Sequence, residues 1–94
     1  MEQVRRSAQA GTLESCDILI MVAPSAEGAG ITIQLESPVK KQYGRRISQV
    51  ISECLAKAGI QDAVVTANDR GALDCTIRAR METAIVRAKS EAQS

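Results

Sequence analysis

The chain has 94 residues, a net charge of +1, 45% hydrophobic residues and no histidine. This length fits one small domain, residues 1–94, and a charge so close to neutral gives no field that would attract nucleic acid or an anionic membrane. With one tyrosine as its single aromatic residue, the chain lacks a platform for stacking bases, and without histidine it is poorly equipped for general acid-base catalysis.

The apolar segments and the cysteines indicate a cytoplasmic protein. The longest apolar run, residues 18–24, is far too short to span a bilayer. Residues 1–6 are followed by no apolar stretch of the kind that a signal peptide has. Because the cysteines are odd in number and form no Cys-x-x-Cys pair, we expect reduced thiols and no metal site at Cys16, Cys54 and Cys75.

The first third of the chain predicts an arm followed by strands. Residues 1–9 are polar and charged, which is typical of a mobile arm. Residues 10–14 can form a short, extended first strand that leads into a tight turn at residues 15–16. Residues 17–23 are apolar at nearly every position, which favours a strand covered on both faces or central in a sheet.

The middle of the chain predicts a third strand and a long helix. Residues 31–36 alternate between apolar and polar side chains, so we expect a half-buried strand paired as a hairpin with the preceding one. Ser37 and Pro38 predict the helix start, with the serine as N-cap and the proline at the first helical position. Gly59 supplies the C-terminal stop, and Gly44, at the edge of the apolar stripe, allows close packing or a kink.

The last third predicts one more strand and a second amphipathic helix. Residues 62–67 form the strand and residues 68–71 a turn, and the helix starts near residues 73–74. Residues 89–94 are expected to fray. The order β-β-β-α-β-α predicts an α+β fold, a two-layer sandwich in which a small mixed sheet carries both helices on one face.

Charged side chains have structural interpretations first. Arg78 and Glu82 can pair across one helical turn. The carboxylates near turns and helix starts are expected to cap backbone N–H groups, with Asp74 as N-cap of the second helix and Asp17 able also to present a negative edge to a modifying enzyme; they are Glu14, Asp17, Asp69 and Asp74.

A basic cluster is predicted early in the first helix, formed by Lys40, Lys41, Arg45 and Arg46. Such a run is usually a solvated helix face. It could also contact the phosphates of a carried nucleotide-like group, or a partner subunit. Cations at a helix N-terminus oppose the helix dipole, which favours a functional explanation.

Ser15 is the candidate functional residue. It lies on the predicted turn between two extended stretches, without a base that could activate its hydroxyl, so it makes a poor nucleophile and an accessible attachment point. Residues 10–17 (Ala-Gly-Thr-Leu-Glu-Ser-Cys-Asp) resemble the modified-serine segment of the citrate lyase acyl carrier proteins, the gamma subunits. Residues 37–44 and 69–82 are similar to two further segments of that family, in the same order.

The resemblance implies that Ser15 carries a covalent phosphoribosyl-dephospho-coenzyme A group through a phosphodiester, which makes the chain a phosphoprotein of citrate fermentation. A prosthetic-group transferase would attach it, and the thiol of the group would hold an acetyl or citryl thioester. The alpha subunit (acyl transferase) and the beta subunit (citryl lyase) would cleave citrate to oxaloacetate and acetate. The chain itself would be a non-catalytic carrier.

One residue departs from the family pattern, and two alternatives stay open. The family usually has glycine after the serine, where this chain has Cys16. Cysteine adopts positive φ at a cost of about 1 kcal/mol, which leaves open a turn of different shape. A malonate decarboxylase-type carrier is one alternative, although its second motif tends to read Gly-Ala-Thr-Pro where this chain has Gly-Ala-Leu-Asp-Cys. An unmodified docking subunit that uses Lys41 and Arg45 is the other.

Overall fold

The structure, a computed structural model, describes residues 3–90. Over these residues the chain forms the predicted α+β fold, in the predicted order β-β-β-α-β-α. Its elements are β1 (Ala8–Gly11), β2 (Ile18–Ala23), β3 (Ile31–Glu36), α1 (Lys40–Lys57), β4 (Ala63–Asp69) and α2 (Asp74–Lys89).

The four strands form one mixed sheet in the order β1-β2-β4-β3. β2 is antiparallel to both of its neighbours, whereas β3 is parallel to β4. The predicted hairpin between β2 and β3 is therefore wrong, because β4 lies between them. The connection of residues 24–30 is long enough to carry the chain past β4, and α1 is then the crossover that a parallel pair requires.

One face of the sheet is covered and the other is open. In β2 the side chains of Ile18, Ile20 and Val22 are fully buried, whereas Met21 is 40% exposed. β2 is therefore a central strand, as predicted, and is covered on one face only. In β4 the alternate residues that pack beside them are also buried, and α1 and α2 both pack on this side and against each other. The core lies between the sheet and the two helices, as predicted.

The helix α1 begins later than predicted. Val39 occupies the N-cap position and the helix starts at Lys40, so Ser37 and Pro38 belong to the preceding turn. The Ser37 hydroxyl accepts a hydrogen bond from the Val39 N–H at 3.1 Å and donates one to Asp69 Oδ2 at 2.8 Å. Ser37 is thus held by the end of β4, which keeps it outside the first helical turn.

Of the two glycines assigned to the first helix from the sequence, Gly44 lies within α1 and Gly59 lies just after its C-cap. Gly44 is buried on the side that faces β3, where a Cβ atom would lie 3.9 Å from Leu35 Cδ2 and 3.1 Å from Lys40 Cγ. The Leu35 distance is an ordinary van der Waals contact and Lys40 is a flexible side chain of the same helix, so no close backbone approach requires glycine here, and the close packing or kink stays a prediction. Gly59 follows the last turn with φ +76°, which confirms the predicted stop.

The start of α2 is confirmed near residues 73–74, but its cap is not. Leu73 occupies the N-cap position and Asp74 is the first helical residue, so the prediction of Asp74 as N-cap is wrong. Its carboxylate accepts a hydrogen bond from Arg46 Nε on α1 at 2.9 Å instead. β4 also runs two residues further than predicted, through Asp69, which shortens the turn before α2.

Arg78 pairs across the two helices and not along its own helix. Its guanidinium lies 2.9 Å from the Glu53 carboxylate on α1, where Glu82 was the predicted partner. The packing of α1 against α2 brings Glu53 within reach, and both partners stay more than 40% exposed, so the pair adds little stability.

Within residues 3–90, neither helix is long and apolar enough to cross a membrane.

The segment before β1 is packed, in contrast to the predicted mobile arm. Val4 is buried in the core, and the N–H groups of Arg5 and Arg6 both donate to the Ala88 carbonyl at the end of α2. Ala8 and the following residue already belong to β1, so the first strand also begins two residues earlier than predicted. At the other end α2 extends to residue 89, and the rest of the predicted fraying segment, residues 91–94, lies outside the described residues.

Candidate functional site

Ser15 lies at the exposed tip of the loop between β1 and β2. The Asp17 N–H donates to the Glu14 carbonyl at 3.1 Å, which closes a four-residue turn with Ser15 and Cys16 at its centre. This confirms the tight turn predicted at residues 15–16. The Ser15 side chain is exposed, and within residues 3–90 its hydroxyl has no hydrogen-bond partner. The hydroxyl is therefore open to a reagent that approaches from solvent.

Cys16 adopts the backbone conformation that glycine would favour. Its φ is +65°, the one positive φ of a non-glycine residue among the described residues. The turn thus has positive φ at its third position. A left-handed backbone costs a side-chain-bearing residue about 1 kcal/mol, so other contacts must hold the turn.

Backbone hydrogen bonds tie the turn to the end of β4. The Cys16 N–H donates to the Arg70 carbonyl at 2.8 Å, and the Arg70 N–H donates to the Asp17 carbonyl at 2.9 Å. These bonds continue the antiparallel pairing in which Ile18 lies opposite Asp69. The ladder between β2 and β4 therefore extends to the residue directly after Ser15.

Asp17 fastens the loop through its side chain. Its Oδ1 accepts hydrogen bonds from the Ile18 N–H at 2.7 Å and from Arg80 Nε at 3.0 Å. Its Oδ2 accepts from Arg80 Nη2 at 2.7 Å and from the Thr12 hydroxyl at 2.6 Å. The Thr12 hydroxyl in turn accepts from the Glu14 N–H at 3.2 Å. The carboxylate therefore joins the two ends of the loop and ties both to α2.

The electrostatics of this cluster keep it charged. The Arg80 guanidinium, followed by the Thr12 hydroxyl, holds the pKa of the Asp17 carboxyl well below its usual range. The hydrogen bond from Arg80 to Asp17 likewise raises the pKa of Arg80. The Asp17 side chain is 13% exposed and that of Arg80 39%, so the pair is shielded from solvent on the carboxylate side. Asp17 caps a backbone N–H, as predicted, and its main partner is Arg80.

Gly11 ends β1 in a position that has no room for a side chain. Its φ is +100°, and a Cβ atom there would lie 1.8 Å from the Ile18 carbonyl oxygen. The strand β1 can therefore approach β2 closely just before the Ser15 loop.

Three residues around the Ser15 turn had no role predicted from the sequence: Gly11, Thr12 and Arg80. Arg80 lies next to the apolar stripe of α2, and this position could have predicted a side chain that pairs with a partly buried carboxylate.

The basic cluster of α1 is not joined to the Ser15 turn. Arg46 pairs with Asp74, and within residues 3–90 no hydrogen bond or ion pair links Lys40, Lys41 or Arg45 to residues 12–17. A groove of about 370 Å³ between α1 and the start of α2 is not lined by Ser15 either. The structure therefore presents Ser15 on an exposed turn, away from this groove.

The cysteines and acidic residues provide no second site. All three cysteines are free, with Cys16 and Cys75 exposed and Cys54 buried, and burial raises the pKa of the Cys54 thiol. In the part of the chain that the structure describes, no group of three or more cysteine or acidic residues is placed to hold a metal ion.

Comparisons of the sequence point to acyl carrier proteins. Residues 5–88 match an acyl carrier family described as "Malonate decarboxylase delta subunit (MdcD)". The citrate lyase acyl carrier protein of Streptococcus uberis is 54% identical over 85 residues, which cover 90% of this chain and 82% of that protein. The citrate lyase acyl carrier protein 2 of Salmonella typhimurium is 46% identical over 91 residues, which cover 97% and 93%.

A solved structure shares the fold. The chain is similar to one in the crystal structure of a Pseudomonas malonate decarboxylase hetero-tetramer in complex with malonate, with a TM-score of 0.75 over 90% of this chain and 86% of that one. The two sequences are 19% identical, so this likeness concerns the fold alone.

Proposed function

The chain belongs to the family of citrate lyase acyl carrier proteins, and on that basis we propose that Ser15 carries a phosphoribosyl-dephospho-coenzyme A group through a phosphodiester. The observation that carries the proposal is the exposed Ser15 hydroxyl, free of hydrogen bonds at the tip of a turn that is itself held in place. The chain is the acyl carrier subunit of citrate lyase, and residues 1–94 act as one carrier domain.

The residues around Ser15 fit such a group. A phosphodiester on serine requires a hydroxyl that an enzyme can reach, and the turn offers one without displacing any protein hydrogen bond. As the bond from Ser15 Oγ to phosphorus forms, an anhydride P–O bond of an activated donor breaks and the leaving group takes its electron pair. The hydroxyl proton passes to a base of the modifying enzyme, because this chain has no histidine and, within residues 3–90, no side chain forms a hydrogen bond with Ser15.

The role of the chain is to carry and not to catalyse. When attached, the group supplies a thiol that can hold an acyl thioester, while the turn of residues 14–17 provides its root. Tethering raises the local concentration of the acyl group at each active site within reach. The partners are the alpha and beta subunits of citrate lyase and the prosthetic-group transferase, and the compartment is the cytoplasm.

Intact-mass measurement tests this proposal. The wild-type chain, Ser15→Ala and Ser52→Ala are each expressed together with the modifying enzymes. Ser52 is exposed on α1, so its substitution removes one hydroxyl elsewhere on the surface. We expect the same large adduct on the wild type and on Ser52→Ala, and none on Ser15→Ala. An adduct that persists on Ser15→Ala, or a wild type without one, would refute the assignment and favour an unmodified docking subunit.

A malonate decarboxylase-type carrier is not favoured. The family that matches residues 5–88 includes that type by its description. The citrate lyase acyl carrier protein of Streptococcus uberis, however, is 54% identical to this chain, whereas the chain from the malonate decarboxylase structure is 19% identical.

A further inference from the structure

We propose that Asp17 and Arg80 are positioning residues, which hold the Ser15 turn in the conformation that its modifying enzyme recognises. The inference rests on the proposed function of Ser15. It concerns how the serine is presented and not which group is attached to it.

Within residues 3–90, Arg80 is the one side chain outside the loop that forms a hydrogen bond with a side chain of the loop. Residues 12–17 connect two strands over the surface, and loops of this kind are mobile unless they are tied down. The Thr12 hydroxyl closes the base of the loop on Asp17 at 2.6 Å. Arg80 then binds both oxygens of Asp17 from α2, at 3.0 Å and 2.7 Å. A bidentate pair fixes orientation as well as distance, so it limits how the closed loop can rotate.

The turn needs such a restraint because it is strained. Cys16 adopts φ +65°, which is unfavourable for a residue with a Cβ atom. Strained conformations persist only where surrounding contacts determine them. The Cys16 N–H bond to the Arg70 carbonyl and the Asp17 carboxylate act on adjacent residues. Together they fix the peptide that follows Ser15.

The pair of Arg78 and Glu53, which also involves α2, differs from the pair of Arg80 and Asp17 in burial and in location. Arg78, two residues before Arg80, binds Glu53 at 2.9 Å, and the two side chains of this pair are 41% and 44% exposed. That pair connects two helices and touches no residue of the loop. The Asp17 carboxylate is mostly buried, accepts four hydrogen bonds and adjoins the turn. Arg78 therefore provides a matched control for Arg80.

A fixed turn favours the attachment reaction. An enzyme that acts on a flexible loop must first order it, and that cost weakens binding. A nucleophile held near its reactive geometry avoids the cost, and small misplacements can lower rates by up to about 100-fold. Arg80 does not touch the reacting atoms, so its contribution is to the position of Ser15.

The first test is the kinetics of attachment. The prosthetic-group transferase and its activated donor are used with the wild type, Arg80→Met, Arg80→Lys and Arg78→Met, and the modified fraction is followed by mass spectrometry. We expect Arg80→Met to lower kcat/KM by roughly tenfold or more, mainly through a higher KM. Arg80→Lys, which keeps the charge and loses the bidentate geometry, should recover part of the loss, and Arg78→Met should match the wild type.

The second test measures the turn without any enzyme. The Cys16 amide donates to Arg70, so its hydrogen-exchange rate reports whether the turn opens. In Arg80→Met we expect Cys16 protection to fall by roughly tenfold while the amides of α1 keep theirs. Arg78→Met should leave Cys16 unchanged.

The outcomes separate this inference from the function on which it rests. If the wild type is modified at Ser15 and Arg80→Met is modified equally fast, or if Arg80→Met and Arg78→Met are slowed equally, the positioning role is refuted and the proposed function stands. If the wild type is not modified at Ser15, the proposed function fails and this inference fails with it. Slow modification of Arg80→Met alone, with the Cys16 amide exposed, supports the role.

Discussion

Replacement of Gly11 by alanine should strongly destabilise the fold. Gly11 pairs with Leu19 at the end of β1, and its φ of +100° disfavours any side chain. An alanine Cβ would also lie 1.8 Å from the Ile18 carbonyl oxygen and 2.9 Å from the carbonyl carbon. Both contacts are with backbone atoms, so no rotamer change can relieve them. The end of β1 must therefore move away from β2.

The cost follows from these two effects. The left-handed backbone contributes about 1 kcal/mol, and loss of the last two hydrogen bonds between the strands adds about 1 kcal/mol each. We expect a total of about 3 kcal/mol. A domain of this size has a free energy of unfolding of roughly 5–14 kcal/mol, so the variant should still fold. Its Tm should fall by roughly 12–24 °C.

Gly28→Ala provides the control. Gly28 has a similar φ of +84°, and a Cβ atom there would meet nothing within 4 Å. It should lose about 1 kcal/mol, so the difference of about 2 kcal/mol between the two variants measures the close approach of β1 to Ile18. Urea unfolding followed by circular dichroism gives both values. Equal losses in the two variants would refute the close approach.

Two further changes test the cluster around Ser15. Because Arg80 and Thr12 lower the pKa of Asp17, the charged carboxylate stabilises the fold fully above the pKa of the unfolded chain, and this stabilisation is lost as the pH falls. The difference in unfolding free energy between the wild type and Asp17→Asn should therefore be constant from pH 7 to about pH 5 and shrink below it; a difference that does not change in acid would contradict the ion pair. Cys16→Gly should raise the free energy of unfolding by up to about 1 kcal/mol, because glycine adopts φ near +65° without strain; a loss of stability in urea unfolding would show that the cysteine side chain itself is needed.

The sequence carries the local features of this fold well and the long-range ones poorly. Alternation along residues 31–36 predicted β3, and the apolar run of residues 17–23 predicted the central strand β2. The partner of β3 could not be predicted in this way, because pairing depends on contacts between distant segments. The short-range signal favoured β2, whereas the structure pairs β3 with β4, about 30 residues later. The prediction of Ser37 as N-cap of α1 was wrong for the same reason, because its hydroxyl binds Asp69 on the distant strand β4.

The candidate site likewise combines features that the local sequence predicts with contacts between distant residues that it does not predict. The turn at Ser15 follows from its neighbours, and the family pattern singled out the serine itself. The residue that holds the turn, Arg80, is 63 positions from Asp17. No local pattern connects the two, because a helix surface offers several polar positions and only packing selects one. The conformation of Cys16 was equally unpredictable, because local energetics disfavour the positive φ that the fold imposes.

The same restraints explain how the turn holds a positive φ at Cys16, a residue that carries a Cβ atom. A turn that depended on local preference alone would change shape when cysteine followed Ser15. Here the N–H of Cys16 continues the β2–β4 ladder through Arg70, and Asp17 is held by Arg80, so about 1 kcal/mol of strain is small beside the bonds that would break. The backbone directly after Ser15, the proposed attachment residue, is therefore held by contacts with β4 and α2.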